Sequence, residues 1–260
     1  MTKSVVLLHP LALSGALWNP VAARLGERFT VVAPDARGHG RSPWDGAEFT
    51  VEDLAADAAA IIEGLDEQPA HVIGVCMGGC TAIVLAATRP DLVDRLVLVD
   101  TTASYGPHRL RSWAERAETA EHAPRAQQLP FQRERWFSER FRRDNGDEVD
   151  RVSQIFARTD SRAHAAACRA LAGFDATDRL ADVRADTLVL VGADDFATPP
   201  AMAEQLAGGI QRARLRVLEG ARHLSLIERH DAWPAIVDFL QPCDQPCDRP
   251  ATPYVGRHDG

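Results

Sequence analysis

Residues 71–80 read HVIGVCMGGC. An apolar run closes at Val75, a cysteine follows, and glycines stand two positions before it and two after it. A cysteine that only needs burial has no use for such a setting. The run to Val75 reads as a strand and the segment from Met77 reads as a helix, so Cys76 lies on the sharp turn between them. Side chains at positions 74 and 78 would collide across a turn that tight, which accounts for glycine at both. The turn lifts the sulfur above the strand end, and the following helix aims its N-terminus at it. The positive end of that helix favours a thiolate and any oxyanion formed beside it. Cys80, one turn further along, reads as a small core residue on the helix.

Working outward, short runs rich in Val and Leu recur at 5–9, 29–34, 71–75, 95–100, 187–192 and 214–220. Near-continuous apolar strands of this kind are covered on both faces. Helical patterns separate them, at 15–25, 50–65, 77–88, 199–208 and 225–240. In 50–65, Val51, Leu54, Ala55, Ala58, Ile62 and Leu65 share a face, and Thr50 with Asp53 forms a capping-box-like start. The alternation predicts an α/β fold with about six strands, all or mostly parallel, and helices on both faces.

The rhythm breaks between 103 and 178, where the patterns are helical and charged. An interval this long between two strands is expected to be a helical cap inserted over the ligand crevice. The predicted organisation is a core of 1–102 and 179–240, a helical cap of 103–178 and a flexible tail of 241–260.

At 260 residues, with a formal net charge of −8 and basic residues scattered among acidic ones, the composition argues against nucleic acid or an anionic membrane as partner. Cys76, Cys80, Cys168, Cys243 and Cys247 are odd in number and irregularly spaced, which points away from a disulfide framework and toward a reducing, cytoplasmic setting. Cys243 and Cys247 lack the second pair or histidines that a metal site needs. The opening apolar run is broken by His9 and Pro10 and reads as a strand rather than a signal peptide. No stretch is long enough to span a membrane, and no metal or organic cofactor is implied. The expected partner is a small acyl substrate.

The Gly74-x-Cys76-x-Gly78 pattern is a nucleophile elbow with cysteine in the serine place. A cysteine nucleophile needs a base, and the base needs an orienting acid; in elbow enzymes they follow in the order nucleophile, acid, histidine. After the strand 187–192 comes ADDFATPP, and after the last strand comes GARHLSLIE. Asp195 is the candidate acid, with Asp194 as the alternative, and His223 is the candidate base. Two backbone N–H groups should form the oxyanion hole. Met77 supplies one; the loop 9–15 supplies the other, from Leu11 or alternatively Ala12, because Pro10 has no N–H to give.

PDARGHGRS (34–42), GVCMGG (74–79), GADDFATPP (192–200) and HLSLIE (223–228) together resemble the α/β-hydrolase superfamily. Within it the chain is most similar to the branch of 3-oxoadipate enol-lactone hydrolases. RERWF (133–137) and CRALAGFDATDRLADV (168–183) resemble the cap of those lactonases. The resemblance implies that Trp136 touches substrate; packing within the cap explains it equally well. Three departures stand out. Cys76 replaces the usual serine, His9-Pro10 replaces the usual His-Gly, and the first strand starts at about residue 4, so the antiparallel hairpin that often opens such sheets is expected to be missing.

Cysteine changes what such a site is suited to. A thiolate attacks a carbonyl readily, but it is also readily expelled, so breakdown favours whichever leaving group has the lower pKa. Enolates and thiolates win that contest more often than simple alkoxides. The expected activity is hydrolysis of an activated ester or enol lactone through a Cys76–His223–Asp195 triad and a thioester. An acyltransferase or thioesterase is the alternative, distinguished by products formed with and without an acceptor. A non-catalytic binder is the third reading, distinguished by burst release from an activated ester. Arg133, Arg135, Arg140 and Arg143 are candidates for a substrate carboxylate, set against a role as exposed helical charges.

Overall fold

The computed structural model describes residues 2–241. The expected tail, with Cys243 and Cys247, therefore lies almost wholly outside the described residues. The strands are β1 (Ser4–Leu8), β2 (Thr30–Val32), β3 (Ala70–Val75), β4 (Val93–Val99), β5 (Asp186–Gly192) and β6 (Ala213–Leu218). They form one sheet in the order β2-β1-β3-β4-β5-β6, and every neighbouring pair is parallel. β1 and β3 are buried along their whole length, as strands covered on both faces must be. All the strand C-termini lie at one end of the sheet, so the loops that follow them share a single crevice.

Three helices join the first four strands: α1 (Asn19–Leu25), α2 (Val51–Glu63) and α3 (Met77–Thr88). α2 starts at the capping box read from the sequence. The Thr50 N–H donates to Asp53 at 2.8 Å, and the Asp53 N–H donates to the Thr50 hydroxyl at 3.1 Å. Its buried face comprises Val51, Leu54, Ala55, Ala58, Ala59 and Ile62. Leu65 falls beyond its end. α3 is buried almost throughout, because it packs directly beneath the elbow. A Cβ at Gly74 would collide with the carbonyl of Gly78, and one at Gly78 with the carbonyl of Leu8. Both glycines are thus demanded by backbone-to-backbone approach.

Between β4 and β5 the chain forms α4 (Arg109–His122), α5 (Arg125–Trp136), α6 (Glu139–Asp144), α7 (Gly146–Arg158) and α8 (Ser161–Gly173). α4 and α8 pack on one another. Backbone and side-chain bonds fasten this helical segment to the strand-end loops. The Thr159 hydroxyl donates to the Ala12 carbonyl at 2.8 Å, the Leu224 N–H donates to the Trp136 carbonyl at 3.0 Å, and Arg151 donates to the carbonyls of Ala16 and Leu17 at 3.1 and 3.2 Å. The chain ends with α9 (Pro200–Gly209), α10 (Ser225–Glu228) and α11 (Trp233–Leu240).

Two helices expected from periodicity are divided. The segment 15–25 is a short 3₁₀ turn, Gly15–Trp18, followed by α1, with Pro20 in the first turn. The segment 225–240 is α10, a 3₁₀ turn at His230–Ala232, and α11, again with proline, Pro234, in the first turn. Proline lacks the N–H that a continuous helix would need there and is tolerated only at a helix start. His9 and Asp100, read as strand residues, stand just past the ends of β1 and β4. Among the described residues no helix is long and apolar enough to cross a membrane.

Candidate active site

Cys76 occupies the turn between β3 and α3 with φ 53° and ψ −115°. A non-glycine residue in this region is strained, and neighbouring bonds hold it there. Its N–H donates to the Val99 carbonyl at 3.1 Å, and its own carbonyl accepts from the Thr101 hydroxyl at 2.8 Å. The side chain opens on a narrow cavity beneath α4, α5 and α8, shared with Leu11, Arg116, Arg135, Trp136 and His223.

His223 and Asp195 come from the loops after β6 and β5. The Nδ1 of His223 lies 2.8 Å from Oδ2 of Asp195, with both side chains buried. The remaining lone pairs of the carboxylate are also engaged. Oδ1 accepts from the N–H groups of Ala197 at 2.7 Å and Thr198 at 3.1 Å, and Oδ2 accepts from the Thr198 hydroxyl at 2.8 Å. Burial opposes the charged carboxylate, but His223 and these donors outweigh it and hold Asp195 below the usual carboxylate range. Asp194, the alternative, is exposed on the surface groove that also contains Ser138 and Glu219.

His223 and Cys76 line the same cavity, where the thiol is held below its ordinary value and the imidazole above its own. Burial disfavours a thiolate, yet the imidazolium and its hydrogen bond, with smaller help from Arg135 and the Leu11 N–H, draw the thiol down to about 7. Burial likewise disfavours the imidazolium, and Asp195 and Cys76 together raise His223 to about 10. Both shifts run in the direction that favours a thiolate beside an imidazolium. Two other buried thiols shift the opposite way: burial pushes Cys80 up to about 12 and Cys168 to about 11.

Of the two expected oxyanion donors, Leu11 lines the cavity beside Cys76, and Met77 is the first residue of α3. The loop that carries Leu11 is shaped by its own bonds. Ala12 adopts φ 59°, the Leu13 N–H returns to the Pro10 carbonyl at 3.3 Å, and the His9 ring bridges Pro10 and the N–H of Ala36 at 2.9 Å each. Trp136 is positioned by packing and by the cavity alike. It lines the cavity and also packs edge-on against Phe156, with centroids 5.5 Å apart.

Only one of the four candidate arginines reaches the cavity. Arg133 is bound to Ser153 and Asp150, and Arg140 and Arg143 pair with Asp144. Arg135 faces Cys76; its burial, with Arg116 nearby, lowers its guanidinium to about 10. Arg116 is a second cavity arginine that the sequence reading passed over, although it follows Trp113 by three positions on the buried stripe of α4 that continues to Ala117 and Ala120.

Asp100 was also passed over. It sits beyond β4 with φ 47°, fully buried. Its Oδ1 accepts from the Gly192 N–H at 3.0 Å, and its Oδ2 accepts from the N–H and hydroxyl of Ser225 at 2.9 and 2.7 Å. Gly192 precedes Asp195 by three residues and Ser225 follows His223 by two, so one carboxyl ties both loops together. Burial and then the charge of Asp195 raise it well above the usual range. Asp100→Ala strips two buried N–H groups of their acceptor, at about 1–3 kcal/mol each. The expected result is a loss of stability on the order of 3 kcal/mol in urea titrations, with Asp100→Asn losing less.

The sequence matches the family described as alpha/beta hydrolase fold over residues 3–230. It is 31% identical over 231 residues to 3-oxoadipate enol-lactonase 1 of Acinetobacter baylyi, spanning 88% of this chain and 85% of that protein. Its fold is similar to the crystal structure of the enol-lactonase from Burkholderia xenovorans, with TM-score 0.87, 31% identity and 92% of each chain covered. It is also similar to a thermophilic esterase from Thermogutta terrifontis with malate bound, with TM-score 0.85, 28% identity, and 92% and 90% of the two chains covered.

Proposed function

The chain belongs to the α/β-hydrolase fold family, and on that premise we propose that it hydrolyses an activated carboxylic ester or enol lactone through Cys76, His223 and Asp195. The observation that carries this reading is the buried Asp195–His223 pair at the end of the sheet, whose imidazole lines the same cavity as the Cys76 side chain. His223 takes the proton of Cys76, and the thiolate adds to the substrate carbonyl. The N–H groups of Leu11 and Met77 hold the oxyanion. On collapse the carbon–oxygen bond to the leaving group breaks, and that oxygen takes the proton from His223. Water then adds to the thioester, giving His223 its proton, and the second collapse expels the thiolate. No group is oxidised, and the net change is the addition of one water.

Arg135 and Arg116 bear on the substrate class. Two half-buried guanidinium groups line the cavity, with no carboxylate paired to either among the described residues, which supports an acyl group carrying a carboxylate. The malate bound by the esterase relative, a dicarboxylate, supports the same reading.

Alkylation of Cys76 by iodoacetamide, followed by peptide mass mapping, tests this assignment. The rate is expected to rise through a midpoint near pH 7, because the thiolate forms as pH passes the lowered thiol value of about 7. Turnover of an activated ester is expected to disappear in step with modification. Full activity with Cys76 modified, or a midpoint at the ordinary thiol value of about 8.5, would contradict it.

A further inference from the structure

One buried histidine in the cavity remains without a task. His164 lies on α8, is 3% exposed, and faces the same space as Cys76 and Arg135. Its Nδ1 is 2.8 Å from an Nη of Arg125. A guanidinium only donates, so Nδ1 must accept. The ring is then neutral, with its proton on Nε2. Arg125 is itself fixed, donating to the Thr159 carbonyl at 2.8 Å and stacking on Phe156 at 4.6 Å from the ring centroid. Phe156 in turn meets the imidazole edge-on, at 5.9 Å. Arg125 is not among the cavity-lining residues. Its contacts fix the ring from behind and leave Nε2–H without a protein partner among the described residues.

We propose that His164 is a specificity residue that donates one hydrogen bond from Nε2 to the carboxylate end of the substrate acyl group, with Arg125 as the positioning residue that selects its tautomer. This rests on the ester or lactone reading above. Arg135, in the same cavity, supplies the charge; His164 supplies direction. A protonated imidazole is not needed, and its cost beside Arg125, Arg116 and Arg135 keeps the ring well below its ordinary value after burial has already lowered it.

Two esters of equal acyl chain length test the idea, mono-p-nitrophenyl glutarate and p-nitrophenyl valerate. Wild type is expected to prefer the glutarate. His164→Phe, which keeps a ring without the donor, should raise KM for the glutarate about tenfold and leave kcat and the valerate reaction within about twofold. His164→Gln, which places an amide N–H near the position of Nε2, should retain most of the preference. With nitrogen-15-labelled histidine, the His164 ring is expected as the Nε2–H tautomer in wild type, and Arg125→Met should convert it to a tautomer mixture. An unchanged ester preference in His164→Phe, an equal loss on both esters, or an Nδ1–H tautomer in wild type would overturn the assignment. If wild type hydrolyses neither ester, the hydrolase reading fails on its own. Glutarate protection of Cys76 against iodoacetamide then decides the His164 question: protection in wild type that is lost in His164→Phe supports it, and equal protection in both, or none in either, overturns it.

Discussion

Replacing Cys76 with alanine is expected to lower kcat for an activated ester by about 10⁵- to 10⁶-fold, the scale on which a nucleophile acting as one unit with its base is lost. The elbow is held by bonds from the Cys76 backbone to Val99 and Thr101, so the variant should keep its circular dichroism and most of its thermal stability. Cys76→Ser should fall between the two, because His223 and Asp195 can still activate a hydroxyl. Its signature lies in the dependence on leaving group. A thiolate is expelled from the tetrahedral intermediate unless the departing oxygen is a good leaving group, so the cysteine enzyme should lose rate steeply from phenyl to alkyl esters. The serine variant, expelling a poorer internal leaving group, should show a shallower decline. Retention of more than a tenth of the wild-type rate in Cys76→Ala would remove the sulfur from the mechanism.

Asp195→Asn is expected to cost about 10⁴-fold in kcat with little change in KM. The carboxylate accepts four close contacts, from His223, Thr198 and the N–H groups of Ala197 and Thr198. An amide keeps the shape but presents a donor to a ring that needs an acceptor at Nδ1. His223 then loses the partner that raises it, and with the imidazolium gone the thiol should climb back toward its ordinary value. The alkylation profile of Cys76 is therefore expected to move to higher pH in the same variant, a change that simple loosening of the loop would not produce. Asp194→Asn, on the exposed groove, should leave both measurements unchanged. A loss smaller than tenfold in Asp195→Asn would assign the acid's role elsewhere, with Asp100, buried beside the same loops, as the next residue to examine.

Much of this architecture follows from local rules that a linear chain already obeys. The junction of β3 and α3 was legible from the glycine spacing around Cys76: the turn itself demands Gly74, while the approach of β1 demands Gly78. α2 was legible because Thr50 and Asp53 satisfy their own neighbours' N–H groups, and six parallel strands followed from buried runs alternating with helices. Short-range chemistry also limited the reading. Helical periodicity alone ran 225–240 together, while Pro234 and the turn before it divided the segment.

Other features depend on distances that no spacing encodes. Asp194 and Asp195 are adjacent and alike, and only the path of the loop after β5 turns one toward His223 and the other to solvent. Among four arginines of the inserted helices, packing sends Arg135 into the cavity and pairs the rest with Asp150 and Asp144. Asp100 earns its place by joining Gly192 to Ser225, residues 92 and 125 positions away, and the tautomer of His164 is set by an arginine 39 residues before it. The sequence by itself determined the sheet, the elbow and the kinds of residue available for chemistry, because steric fit and apolar burial act over a few residues. Only the tertiary structure decided which charged and polar groups meet, because their pairing in a buried site is a matter of through-space contact.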